Sequence, residues 1–159
     1  MMKNKQFIAD TIYLMLIAAT LGAVLTLGIF AAPVVFNTVG LDRFEEGIIM
    51  AEIFHRFTYW LYLVLAGIIF YEGYEYKKFK RDRVIIGSAL MSIFTILMFN
   101  TVYTPKILEM QSQGKEVTMS DAFANIHMAS EIDFKLLAVA LLVLFVRRYY
   151  LITHPKREG

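Results

Sequence analysis

The stretch Phe7–Phe36 is almost wholly apolar, and nothing else in the chain restricts its fold as severely. A helix crossing a bilayer needs about 20 mostly apolar residues, and this run exceeds that. The apolar core of a secretory signal is only about 7–15 residues long, so the run reads as a retained first span. Three more candidate spans follow, at about 48–76, 84–104 and 126–150, the last with an apolar run that ends at Val146. Hydrophobic residues make up 58% of the 159 and mean hydropathy is +0.55, where soluble domains sit nearer half. Backbone groups in lipid must be paired within the segment, so these runs are expected to be helices. The expectation is an all-α integral membrane protein: a four-helix transmembrane bundle forming a single membrane domain, 1–159. The first span is longer than needed, so it should tilt, kink at Pro33 or project outward.

Lys and Arg set the orientation. Lys3, Lys5, Lys77, Lys78, Lys80, Arg81, Arg83, Arg147, Arg148, Lys156 and Arg157 fall on one side, and Arg43, Arg56, Lys106, Lys115 and Lys135 on the other. Basic residues favour the cytoplasmic side. Both termini and the loop Lys77–Arg83 are therefore expected inside, with the loops Asn37–Gly47 and Lys106–Phe123 outside. Tyr71, Tyr74, Tyr76, Tyr149 and Tyr150 fall where an inner aromatic belt belongs. Two stripes of small residues, Ala18/Gly22/Thr26 and Ser88/Ser92/Thr95, mark expected helix contacts. A net charge of +2 gives no sign of nucleic-acid binding, and the absence of Cys removes disulfides, iron–sulfur clusters and thiolate zinc sites.

The last span is the informative one. Its apolar run, Leu136–Val146, is 11 residues, too short at about 1.5 Å per residue to cross some 30 Å. Extending it back to Ile126 draws in His127, Ser130, Glu131, Asp133 and Lys135. Charged groups at such depth are costly and are expected to face the bundle interior or a wet cavity. His127, Glu131 and Lys135 form one stripe, with Glu131 and Lys135 in the favourable order for an ion pair. The second span supplies Glu52, His55 and Tyr59 on one face, and Arg56 four residues from Glu52. The third supplies Asn100, with Lys106 just beyond Pro105. One outward-facing polar pocket is expected to gather Glu52, His55, Arg56, Asn100, Lys106, His127, Ser130, Glu131, Asp133 and Lys135.

Pro33 precedes His55 by 22 residues, as Pro105 precedes His127. This spacing points to a repeated hairpin. In such a repeat the two histidines would face each other across a pseudo-two-fold axis, as ligands for b-type haem or a metal ion.

The segments Gly28–Phe36 and Ile53-Phe-His-Arg-Phe, with Tyr103-Thr-Pro-Lys-Ile and Asn125-Ile-His-Met-Ala-Ser, resemble the two hairpins of the transmembrane-protein-205-like family. Pro33, Phe54, Arg56, Pro105, His127 and Ser130 correspond to that pattern. The resemblance runs from about Leu21 to Val146. It implies a four-helix fold in a bacterial inner (cytoplasmic) membrane and no established activity. Glu131, Asp133 and Lys135 lie outside the pattern.

No phosphate loop, zinc helix or nucleophile turn is visible, so a non-enzymatic protein is expected. Its pocket would bind or pass a small cation, a metal ion or a proton. The alternatives are a haem b redox protein using His55 and His127, and an accessory subunit of a larger membrane complex. Its surroundings would be the lipid bilayer, with a membrane-protein partner or a second copy of the chain as candidate partners.

Overall fold

A computed structural model describes the backbone of residues 2–78 and 82–154 and the side chains of residues 5–77 and 82–154. The described residues form four long helical rods. The first runs through α1 (Met2–Leu25), a π-helical turn (Thr26–Ala31) and α2 (Ala32–Val35). The second is α3 (Arg43–Lys78). The third joins α4 (Arg83–Met98), a second π-helical turn (Phe99–Tyr103) and α5 (Thr104–Ser112). A short α6 (Lys115–Thr118) leads to the fourth rod, α7 (Asp121–Thr153). Among the described residues, three rods are long and apolar enough to cross a membrane: Lys5–Val35, Arg43–Lys77 and Arg83–Ser112. The chain is therefore a multi-pass membrane protein. α7 is 33 residues long, but charged residues flank its apolar run on both sides.

The two π turns have one cause. Proline has no N–H, and its ring crowds the carbonyl four residues earlier, here those of Ile29 and Thr101. The helix accommodates this by widening just upstream. The N–H of Ala32 donates to Leu27 O, and that of Thr104 to Phe99 O, five residues back in each case. Neither proline ends its helix. The third rod continues past Pro105 to Ser112, so the expected boundary at 104 is corrected. Much of the expected outer loop 106–123 is helical, in α5, α6 and the start of α7.

Local chemistry fixes the other ends. The Asp42 carboxylate accepts from the N–H groups of Phe44 and Glu45, at 2.9 and 3.0 Å, while Glu45 accepts from the Asp42 N–H at 3.0 Å. This reciprocal cap starts α3. Asp82 caps α4 through the N–H groups of Val84 and Ile85, and Ser120 caps α7 through that of Phe123.

α7 packs antiparallel along the third rod. At one end Arg147 Nη2 meets Asp82 Oδ2 at 2.6 Å; at the other the rings of Phe99 and Phe134 lie 5.2 Å apart. Ser88, Ser92 and Thr95 are buried on the third rod, as expected of a contact stripe. Ala18, Gly22 and Thr26 are not a contact: all three are exposed. The first rod instead turns Tyr13, Ile17, Thr20 and Val24 inward. Trp60 Nε1 donates to Thr20 Oγ1 at 3.0 Å, and Gly67 of α3 lets Leu16 approach so closely that a Cβ there would lie 2.6 Å from Leu16 Cδ2. Those two contacts fix the rotation of the rod. Leu61, Val64, Ile68, Ile96, Leu137, Leu141 and Leu144 complete the apolar core.

Candidate functional site

A cavity of about 730 Å³ lies at the end of the bundle where the π turns, α5 and α6 contribute to its wall. That is within the range of small-molecule pockets. Its wall takes Gly28 and Pro33 from the first rod, Met50 and Phe54 from α3, Phe99, Thr104 and Gln111 from the third rod, and Phe123 and Phe134 from α7. Most of the lining is apolar and much of it aromatic. Phe54, Phe99 and Phe134 pack mutually at ring separations of 5.2–5.6 Å. Lys115, from α6, bonds to Asp42 at 2.7 Å and ties the connection before α3 to α6 at the cavity end. That contact, with the α3 cap, holds the Asp42 carboxyl below the usual aspartate range.

The residues expected to form one polar pocket occupy several places. His127, Ser130, Glu131 and Lys135 lie on the cavity wall. The stripe is a ladder: Glu131 Oε1 lies 3.4 Å from His127 Nε2 and Glu131 Oε2 3.3 Å from Lys135 Nζ. Ser130 Oγ bonds back to His127 O. Glu52 and Arg56 pair at 2.8 Å, and Lys106 pairs with Glu109 at 2.9 Å, both on the exposed surface. His55 packs edge-on against Tyr59 at 5.6 Å and is not on the cavity wall. The cavity therefore does not bring His55 and His127 together. Asn100 and Asp133 are buried away from it. Asn100 Nδ2 donates to Thr58 O at 3.0 Å, while Asn100 Oδ1 and Asp133 Oδ2 have no partner among the described residues. No group of three His, Cys, Asp or Glu side chains suited to a metal ion occurs among the described residues.

A second polar centre, at the other end of the bundle, is missed by reading the sequence for topology. Arg148 is only 8% exposed. Its Nη2 binds Glu72 Oε2, its Nε lies 3.2 Å from Glu72 Oε1 and its Nη1 3.8 Å from Glu75 Oε2. The guanidinium lies over the Tyr71 ring at 5.2 Å, which in turn stacks on Tyr13 at 3.8 Å. Tyr71 Oη donates to Asp10 at 2.6 Å, and Gln6 Nε2 reaches both Asp10 and Glu75, at 2.8 and 3.1 Å. The network joins α1, α3 and α7. A usable sequence signal was the Glu72/Glu75 pair at helical spacing, level with an arginine at the end of the last rod.

The family model of a domain of unknown function, DUF4149, matches residues 15–116. The match takes in most of the first rod, all of the second and third, and the start of α6. α7, which carries the charged ladder and Arg148, lies outside it. No curated protein and no solved structure matches the chain.

Proposed function

The chain belongs to the DUF4149 family, and we propose that it is a non-enzymatic membrane protein that binds a membrane-soluble small molecule in its outer cavity. One observation carries this reading: a cavity of about 730 Å³, walled by all four rods and lined mainly by apolar and aromatic side chains. Such a lining repels a hydrated ion and accepts an apolar body. Within the proposal α7 is a fourth span, because it runs antiparallel along a rod that itself has the length to cross. Both termini are then cytoplasmic, by the bias of Lys and Arg. We place the protein in a bacterial inner membrane on the same motifs that resemble the transmembrane-protein-205-like family, whose pattern continues beyond the matched residues to His127 and Ser130.

Gly28 supplies the test. It lines the cavity, and a Cβ there would meet nothing within 4 Å, so Gly28→Phe adds bulk at the cavity wall from a position where the backbone accepts a side chain. The purified protein in detergent should bind a pyrene-labelled alkane, read by fluorescence. Gly28→Phe should weaken that binding by about tenfold or more, equivalent to some 1.4 kcal/mol, with an unchanged unfolding midpoint. Equal binding by a folded Gly28→Phe protein would refute the cavity as the site.

A further inference from the structure

We infer that Asp133 is a proton-binding site: at neutral pH it stands inside the bundle as the neutral acid. This is independent of what occupies the cavity.

A carboxylate taken out of water needs a cation or several hydrogen-bond donors, and without them it keeps its proton. Asp133 is 5% exposed. Its Oδ2 has no hydrogen-bond partner, and no ion pair among the described residues includes it. α7 packs chiefly on the first and third rods. Residues 14–36 of the first and 84–102 of the third hold no ionisable side chain. The cations at this end of the bundle are engaged elsewhere. Lys106 pairs with Glu109 and Lys115 of α6 with Asp42; on α3, Arg43 faces Glu46 and Arg56 pairs with Glu52. His55 packs on Tyr59. Tyr103 of the third rod and Glu116 of α6 bring no positive charge. On α7 itself His127 and Lys135 share Glu131, and Arg147 lies about 21 Å further along the helix.

Neutral donors do not fill the gap. Ser92, Thr95 and Ser130 donate to carbonyls of their own helices at 2.8, 2.9 and 2.7 Å. Asn100 gives its Nδ2 to Thr58 O, and the Thr104 hydroxyl bonds to nothing. Along α7 the Glu131–Lys135 pair balances its own charge, so a proton on Asp133 removes the one that remains. Release of that proton would leave an unpaired charge between packed rods, which only water drawn in beside α7 can screen. Proton release and loosening of the outer half of α7 are therefore coupled.

Infrared spectroscopy of the purified protein in lipid reads the proton directly, because a carboxylic acid has a carbonyl stretch above the amide band and a carboxylate does not. At neutral pH the spectrum of wild type minus that of Asp133→Asn should show one acid band, shifted downward in heavy water. Carbon-13 at the aspartate side-chain carboxyls should shift the same band in wild type, a readout that needs no variant to fold. Of the other aspartates, Asp42 and Asp82 are paired with Lys115 and Arg147, Asp121 is exposed, and Asp10 accepts from Tyr71 and Gln6, so Asp10→Asn should leave the band in place. Raising the pH until the band is lost should speed amide exchange over residues 130–137 relative to 140–146. The absence of a label-sensitive acid band at neutral pH, its survival in folded Asp133→Asn, or its loss in Asp10→Asn would overturn the assignment. An unchanged exchange ratio after the band is lost would overturn the coupling. None of these results bears on binding of the pyrene-labelled alkane, so the cavity reading stands or falls separately.

Discussion

Arg148 lies in the core with Glu72 on its guanidinium and Glu75 at 3.8 Å, whereas its neighbour Arg147 reaches Asp82 from a half-exposed position. Removing one partner of a buried ion pair leaves the others uncompensated, at a cost of about 3–5 kcal/mol. A pair near the surface contributes about 1 kcal/mol or less. Arg148→Met should therefore destabilise the protein severely and Arg147→Ala only slightly. Chemical denaturation in detergent distinguishes them, and equal losses would show that the Glu72–Glu75 network carries no special weight. In the sequence the two arginines look alike, because counting basic residues places a loop on one side of a membrane without saying which side chain turns inward. The same holds for the acceptor side: Glu72 and Glu75 sit on a helix whose polar face is decided by packing against α1 and α7. Glu131 and Lys135 were legible as a pair because helical spacing alone brings them together. Asp133, between them, faces the opposite way into the interior.

The rods were largely legible, because length and apolarity are local properties and lipid leaves helices as the solution for such runs. What bends or extends them was less so. Pro33 and Pro105 signal a disturbance, but whether a helix stops, kinks or widens into a π turn depends on what packs around it. The stripe Ala18/Gly22/Thr26 failed for a related reason: small residues permit a contact without requiring one, and Thr20 and Leu16 set the rod's rotation. The start of α4 illustrates how two elements are joined by one side chain. Asp82 caps α4 with Oδ1 and accepts from Arg147 of α7 with Oδ2. The Arg147 guanidinium, then the backbone N–H groups, holds its carboxyl below the ordinary 3.8. A depressed folded value means the clamp contributes stability above the unfolded value. That contribution is lost as pH falls from the ordinary aspartate value through the lower folded one. Asp82→Asn keeps an effective cap but removes the charge. Titrating the unfolding midpoint from neutral pH to about 3 should show a smaller acid-induced loss in Asp82→Asn than in wild type. Identical acid profiles would exclude the clamp as a contributor.

At the scale of the whole molecule, the ends of the rods converge on two poles. Asp42, Lys115 and the cavity occupy one; Asp82, Arg147 and the Arg148 network occupy the other. In the proposed four-span arrangement α7, which begins near the first pole and ends at the second, recrosses the membrane that α4 crosses, although the charges at both ends of its apolar run keep it from reading as a span by itself. Four crossings return the C-terminus to the side of the N-terminus; three would leave it opposite. The chain has no Cys, so single cysteines can be labelled without background. Val39→Cys, at a position 99% exposed, and Gln113→Cys should react with an impermeant maleimide in intact cells. Lys5→Cys and His154→Cys should react only after permeabilisation, since basic residues gather at that pole. Labelling of His154→Cys from outside, with Lys5→Cys still protected, would mean that α7 does not return across the bilayer. The cavity would then need a different membrane placement from the one that makes it a pocket for a membrane-soluble ligand.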